Sequence, residues 1–172
     1  MSLRGRHNSA NMPVERVSFL VVRLGGSYFA LPAAGVRGLL TQAEAGYEQA
    51  VTAVGTVYQP VDLVQRLSVA ADLSSPDMRM VLYSTGLIQG AIRVEQVVGL
   101  VEVARQDCLP LPLQFQGDER SWFEGMTLYM DLLVLILNPL WALGESPGIA
   151  TASVWQAEQP IVATPATVCG SC

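Results

Sequence analysis

Cys169 and Cys172 stand at the C-x-x-C spacing that zinc ribbons and thioredoxin-like redox sites use. Zinc normally takes four ligands, and only Cys108 and His7 could complete the set. A redox pair needs a helix N-terminus to depress one thiol pKa, and the stretch after Leu143, rich in Gly, Ser, Pro, Ala and Thr, has no helical periodicity. A nucleophilic triad needs a base beside Ser, Cys or Thr; the single His7 sits in a polar stretch and reads as a surface residue. There is no G-x-S-x-G, no Walker loop and no G-x-G-x-x-G. Gly25-Gly26 joins two strand-like runs, whereas a phosphate cradle needs a strand followed by a helix N-terminus. The carboxylates of Glu95, Glu102, Asp118 and Glu119 read as solvated surface charge. Tyr47 and Trp122 fit core or rim equally well. No catalytic residue, cofactor or metal is expected. A thiol- or metal-dependent enzyme using Cys169 and Cys172 is the alternative from another class.

What must position any site is a mostly apolar chain. Of 172 residues, 51% are hydrophobic and 15% charged, a composition that folds. Ten basic residues against 15 acidic ones give a net charge of -5, which disfavours a nucleic-acid binder. The longest apolar run, Leu132 to Leu143, contains Asn138 and Pro139 and falls short of the roughly 20 residues a membrane helix needs. No membrane insertion is expected. The stretch from Met1 to Asn11 has cations without an apolar run behind them, so no secretory signal is read and a cytoplasmic location is expected.

Residues 1–16 read as a flexible arm, 17–143 as the folded domain, and 144–172 as a disordered Pro/Ala/Thr-rich tail. Val17 to Leu24, the Gly25-Gly26 turn and Ser27 to Leu31 predict a β-hairpin. Val36 to Leu40 reads as a third strand, or Ala33 to Leu40 as carrying a helical turn. Thr41 to Ala53, rich in Ala, Glu and Gln, suits a short helix or a mobile loop. Val54 to Leu63 has strand composition with Pro60 at an edge or bulge, and Asp62 should cap a short helix from about Leu63 to Leu67. Ser68 to Asp77 is a loop.

Strand-rich sequence then resumes at Arg79 to Tyr83, Leu87 to Val94 and Val97 to Val103, and it echoes the first block. A shift of 61 places Gly25 on Gly86, Leu31 on Ile92, Val36 on Val97, Gly38 on Gly99 and Leu40 on Val101. A shift of 76 places Val57 on Leu133, Val61 on Leu137, Asp62 on Asn138 and Leu67 on Leu143. The order of these matches predicts a mainly β fold: two similar β-subdomains of about five short strands each, the second contributed mainly by 79–137.

The run Phe19 to Gly26, then Tyr28 to Pro32, then Val36 to Leu40 resembles the opening of CheW-like chemotaxis adaptor domains. Gly55 with Pro60 to Leu63, Ala91 to Val103, Phe123-Glu124-Gly125 and the closing Leu133 to Leu143 are similar to later motifs of that family, in order. The resemblance covers about residues 17–143. It implies two SH3-like five-stranded β-barrel subdomains with short helices, and no catalysis. It also implies two partners: a CheA-type histidine kinase, engaged through the kinase's own CheW-like domain, and the cytoplasmic tip of a methyl-accepting chemoreceptor, seated in an apolar groove between the subdomains.

Carried over by position, the resemblance puts Val36, Leu39, Val97, Val98 and Gly99 along that groove, with Val54 at a further partner contact. The family commonly has Arg where this chain has Val54, and the segment 41–53 is shorter than usual. These departures admit a second reading, a divergent member serving a twitching-motility or pilus array with lost or altered receptor binding. On the first reading, Val36→Asp or Gly99→Asp weakens partner binding while the fold survives.

Overall fold

The computed structural model describes residues 14–45, 51–53 and 55–144. The N-terminal arm through residue 13, Tyr47, Val54 and the tail with Cys169 and Cys172, for which the sequence sets expectations, lie outside them. The first hairpin forms as its pattern dictates. Strands β1 (Arg16–Leu24) and β2 (Ser27–Pro32) pair antiparallel across Gly25 and Gly26, whose φ angles of +57° and +82° suit glycine. A 3₁₀ turn at Ala33–Gly35 follows, then β3 (Val36–Thr41), so both alternatives for 33–40 hold, in sequence. Helix α1 (Gln42–Ala45) is short, and the end of the Ala-rich stretch is a strand, β4 (Val51–Ala53), where a helix or loop was expected. Pairing explains that difference: β4 zips antiparallel onto β5 (Thr56–Val61), and tertiary context outweighs weak strand propensity. Pro60 pairs with Ala91 in the parallel β5–β7 ladder, but β4 reaches only Thr56 to Tyr58, so on its other side Pro60 lies at an open edge, a place that tolerates proline.

Asp62 caps α2 (Leu63–Leu67), its carboxylate accepting from the Gln65 N–H at 2.9 Å. Strands β6 (Arg79–Ser84), β7 (Gln89–Val94) and β8 (Gln96–Ala104) come next, then β9 (Phe123–Tyr129) and β10 (Leu132–Leu137). Asn138 caps α3 (Pro139–Ala142) as Asp62 caps α2, its side chain accepting from the Leu140 N–H. Pro139 opens that helix, where a missing N–H costs nothing.

Among the described residues, ten strands form two five-stranded sheets, ordered β8-β1-β2-β10-β9 and β3-β6-β7-β5-β4. Under the repeat, β1, β2 and β3 correspond to β6, β7 and β8, and β4 and β5 to β9 and β10; the two orders are then the same order. Register agrees residue by residue. Leu39 lies opposite Val81 as Leu100 lies opposite Leu20, and Gly38 opposite Leu82 as Gly99 opposite Val21. Leu135 pairs with Phe29 as Gln59 pairs with Gly90, in both cases in parallel. Even the bulges coincide, skipping Arg37 in β3 and Val98 in β8. Neither sheet is a consecutive stretch of chain, however. Each block gives its hairpin to the other block's sheet, so β1 and β2 join β8 to β10 while β6 and β7 join β3 to β5.

Three apolar clusters follow. Phe19, Val21, Ala30, Val134 and Ile136 fill the inside of the first sheet, and Met80, Leu82, Ala91 and Tyr58 fill the equivalent space in the second. The largest cluster lies between the sheets: Leu20, Val22, Leu24, Phe29 and Leu31 of one meet Val81, Tyr83, Ile92 and Val94 of the other. Burial of this shared face joins the two halves into one body, at roughly 1.5–3 kcal/mol for each fully buried large side chain.

Candidate functional site

Among the described residues, strands β3 and β8 are edge strands at equivalent places in the two sheets. Residues directly opposite on paired strands project to the same face. Val36 pairs with Tyr83, Leu39 with Val81, Val97 with Val22 and Leu100 with Leu20, and all four of those partners belong to the cluster between the sheets. The two edge strands therefore each aim a Val and a Leu toward the side on which the sheets meet. Val36 and Val97 pack onto that cluster. Leu39 and Leu100 lie beyond its margin, 45% and 68% exposed.

The structure thus brings Val36 and Val97 together on one core, and places Leu39 on the same face at the rim. Val98 is the bulged residue of β8 and is 39% exposed. Gly99 has a φ of +154°, and nothing lies within 4 Å of where its Cβ would be, so backbone conformation rather than crowding demands glycine there. Sequence reasoning missed Leu100, although the shift of 61 that pairs Val36 with Val97 also places Leu39 on Leu100.

Hydrogen bonds fix how the chain enters each edge. The Tyr83 hydroxyl donates to the Pro32 carbonyl at 2.9 Å, just before the 3₁₀ turn that launches β3. Burial, reinforced by the Glu124 charge and opposed by Arg37, pushes the Tyr83 phenol well above its ordinary pKa. Before β8 the corresponding tie is ionic. Glu95 accepts from Arg23 Nη2 at 2.8 Å and from the Gly25 N–H at 3.0 Å, and its side chain is only 16% exposed. The expectation of a solvated carboxylate is wrong for Glu95, because the β1–β2 hairpin folds over it with two donors. Glu102 is exposed, 3.8 Å from Arg16. Glu119 accepts from the Gly117 N–H within a 3₁₀ turn at Asp118–Ser121, which lowers its pKa.

Trp122 is half-buried against the cluster between the sheets and stacks on Trp141 at 5.0 Å. The Arg66 guanidinium sits 4.8 Å over the Trp141 ring and donates to its carbonyl, tying α2 to α3. Burial raises the Cys108 thiol pKa, the wrong direction for a nucleophile. Among the described residues, no group of three or more His, Cys, Asp or Glu could hold a metal, and no helix is long and apolar enough to cross a membrane. The arrangement offers shape and apolar surface on two strand edges, the means of an interaction module.

That fold agrees with comparisons against known proteins. The CheW-like domain family matches residues 18–144, most of the chain, and the protein belongs to that family. Among solved structures it is similar to the scaffolding protein TtCheW from Thermoanaerobacter tengcongensis, with a TM-score of 0.66 at 15% identity, over 86% of this chain and 96% of that one. No curated protein matches.

Proposed function

We propose that this protein is a non-catalytic cytoplasmic adaptor that couples the cytoplasmic tip of a chemoreceptor to a CheA-type histidine kinase. The supporting observation is the pair of equivalent edge strands, which carry exposed Leu39 and Leu100 on the face where the sheets meet. Partner helices would bury these side chains, and a few apolar anchors near the centre of an interface commonly dominate its energy. The adaptor's work is then geometric. Binding of both partners to one rigid body holds them in a fixed relation, and no bond is made or broken.

The test is co-purification with histidine kinases and receptor-tip fragments encoded by the same genome. Retention of both by the parent protein, and loss of the receptor fragment on Leu39→Asp or Leu100→Asp, supports the reading; retention of neither by the parent overturns it. Kinase binding without receptor binding would instead favour the divergent member of another array, the reading that Val54 in place of the family's usual Arg suggests.

A further inference from the structure

A single residue, Glu95, separates β7 in one sheet from β8 in the other, so its geometry sets where the β8 edge begins. Both its carboxylate oxygens are engaged: Oε1 accepts from Arg23 Nη2 and Oε2 from the Gly25 N–H. Arg23 itself lies opposite Gln96, the first residue of β8. The hairpin turn that supplies the second donor is fixed in turn, since at Gly25 a Cβ would come within 2.5 Å of the Ala70 carbonyl oxygen in the loop after α2. The repeat has no copy of this clasp. Its equivalents at the other crossover are Ala34 and Ser84, and that crossover is held instead by the Tyr83 hydroxyl on the Pro32 carbonyl.

We propose that Glu95 is a positioning residue for the partner-binding edge: clasped by Arg23 and the Gly25 N–H, it holds the start of β8 so that Val97, Val98 and Leu100 are presented in one register. Three features make β8 need it. The bulge at Val98 interrupts the ladder with β1, Gly99 holds a conformation few residues adopt, and Leu100 is too exposed to be held by packing. A charge-assisted pair of hydrogen bonds at the strand's entrance supplies the missing constraint. The reading that this edge binds a partner is the one proposed above; the clasp itself is testable without any partner.

The experiment is amide hydrogen exchange on the full chain, comparing the parent with Glu95→Gln and Glu95→Ala. Loss of a hydrogen bond to a charged group should speed exchange in residues 96–100 by roughly tenfold or more. Exchange in the equivalent edge, residues 36–41, should stay as in the parent. Glu95→Gln, which still accepts a hydrogen bond, should fall between parent and Glu95→Ala. The double charge reversal Arg23→Glu with Glu95→Arg should restore part of the protection. Unchanged exchange at 96–100, or equal acceleration at both edges, would overturn the assignment. Absence of any partner for the parent protein would count against the adaptor reading and leave the exchange result standing.

Discussion

Leu39 and Leu100 are one residue in two copies of the same fold: each lies two places after a β-bulge near the start of a sheet-edge strand, and each faces the side where the sheets meet. Their surroundings differ at the bulge, with Arg37 at one and Val98 at the other, and at the crossover before it, where the Glu95 clasp has no counterpart beside β3. A partner that engages both edges therefore meets two similar apolar contacts and one position where charge replaces an aliphatic side chain.

Leu39→Asp and Leu100→Asp should each weaken receptor-fragment binding by about 2 kcal/mol, roughly thirtyfold, if these are the interface anchors. Both side chains are substantially exposed, so thermal stability should move by no more than about 0.5 kcal/mol. Calorimetric titration beside a denaturation curve separates the two effects, and unaltered affinity in both variants would remove these residues from the interface.

Val36→Asp and Gly99→Asp, which sequence alone makes attractive probes, should behave differently. Val36 packs on the cluster between the sheets, and a carboxylate there costs about 2 kcal/mol or more for want of a partner. At Gly99 the φ of +154° strains any side chain although space is open. Urea unfolding should show both variants destabilised, which makes any loss of binding ambiguous; parent-like midpoints would contradict this.

The bridge between the segment after β8 and strand β9 yields a third expectation. Leu109 and Met126 exchange both backbone hydrogen bonds, at 2.8 and 2.9 Å, linking the segment after β8 to β9. A Cβ on Gly125 would lie 2.6 Å from the Leu109 carbonyl oxygen, a backbone atom with little freedom to retreat. Gly125→Ala should therefore cost about 1–3 kcal/mol. Faster exchange of the Met126 amide would localise the damage, and a neutral effect on stability would show that the segment yields easily.

Much of this architecture is legible in the chain because its signals are local. Alternation and Gly25-Gly26 give the first hairpin, Asp62 announces α2 through the acceptor it offers, and the repeat puts Asn138 in the same role. What escapes the sequence is long-range. Exchange of hairpins between the blocks depends on pairings such as Leu39 with Val81, which no local pattern encodes. Glu95 reads as solvated because its donors, Arg23 and Gly25, stand 72 and 70 residues away. The strand at Val51–Ala53 has only the weak composition of an edge and exists through its pairing with β5. Family resemblance by position points to the edge strands, but only the pairing register separates core-packed Val36 and Val97 from exposed Leu39 and reveals Leu100.

Alkaline pH should loosen the entrance to β3. Tyr83 is buried and donates to the Pro32 carbonyl, and burial raises its pKa above the ordinary phenol value of about 10. With the folded-state pKa raised, the folded protein keeps this proton in a range where the unfolded chain has released it. The contribution is thus fully present below about pH 10 and declines as the pH climbs beyond that value, because unfolding then releases a proton. Tyr83→Phe removes both the donor and the titration. It should lower stability by about 1 kcal/mol at neutral pH, leaving the Pro32 carbonyl without this bond, and should flatten the decline above pH 10. Urea midpoints for parent and variant at pH 8 and pH 10.5 give the comparison: the gap between them should narrow at the higher pH, and a gap that stayed constant would show that Tyr83 does not set the alkaline sensitivity.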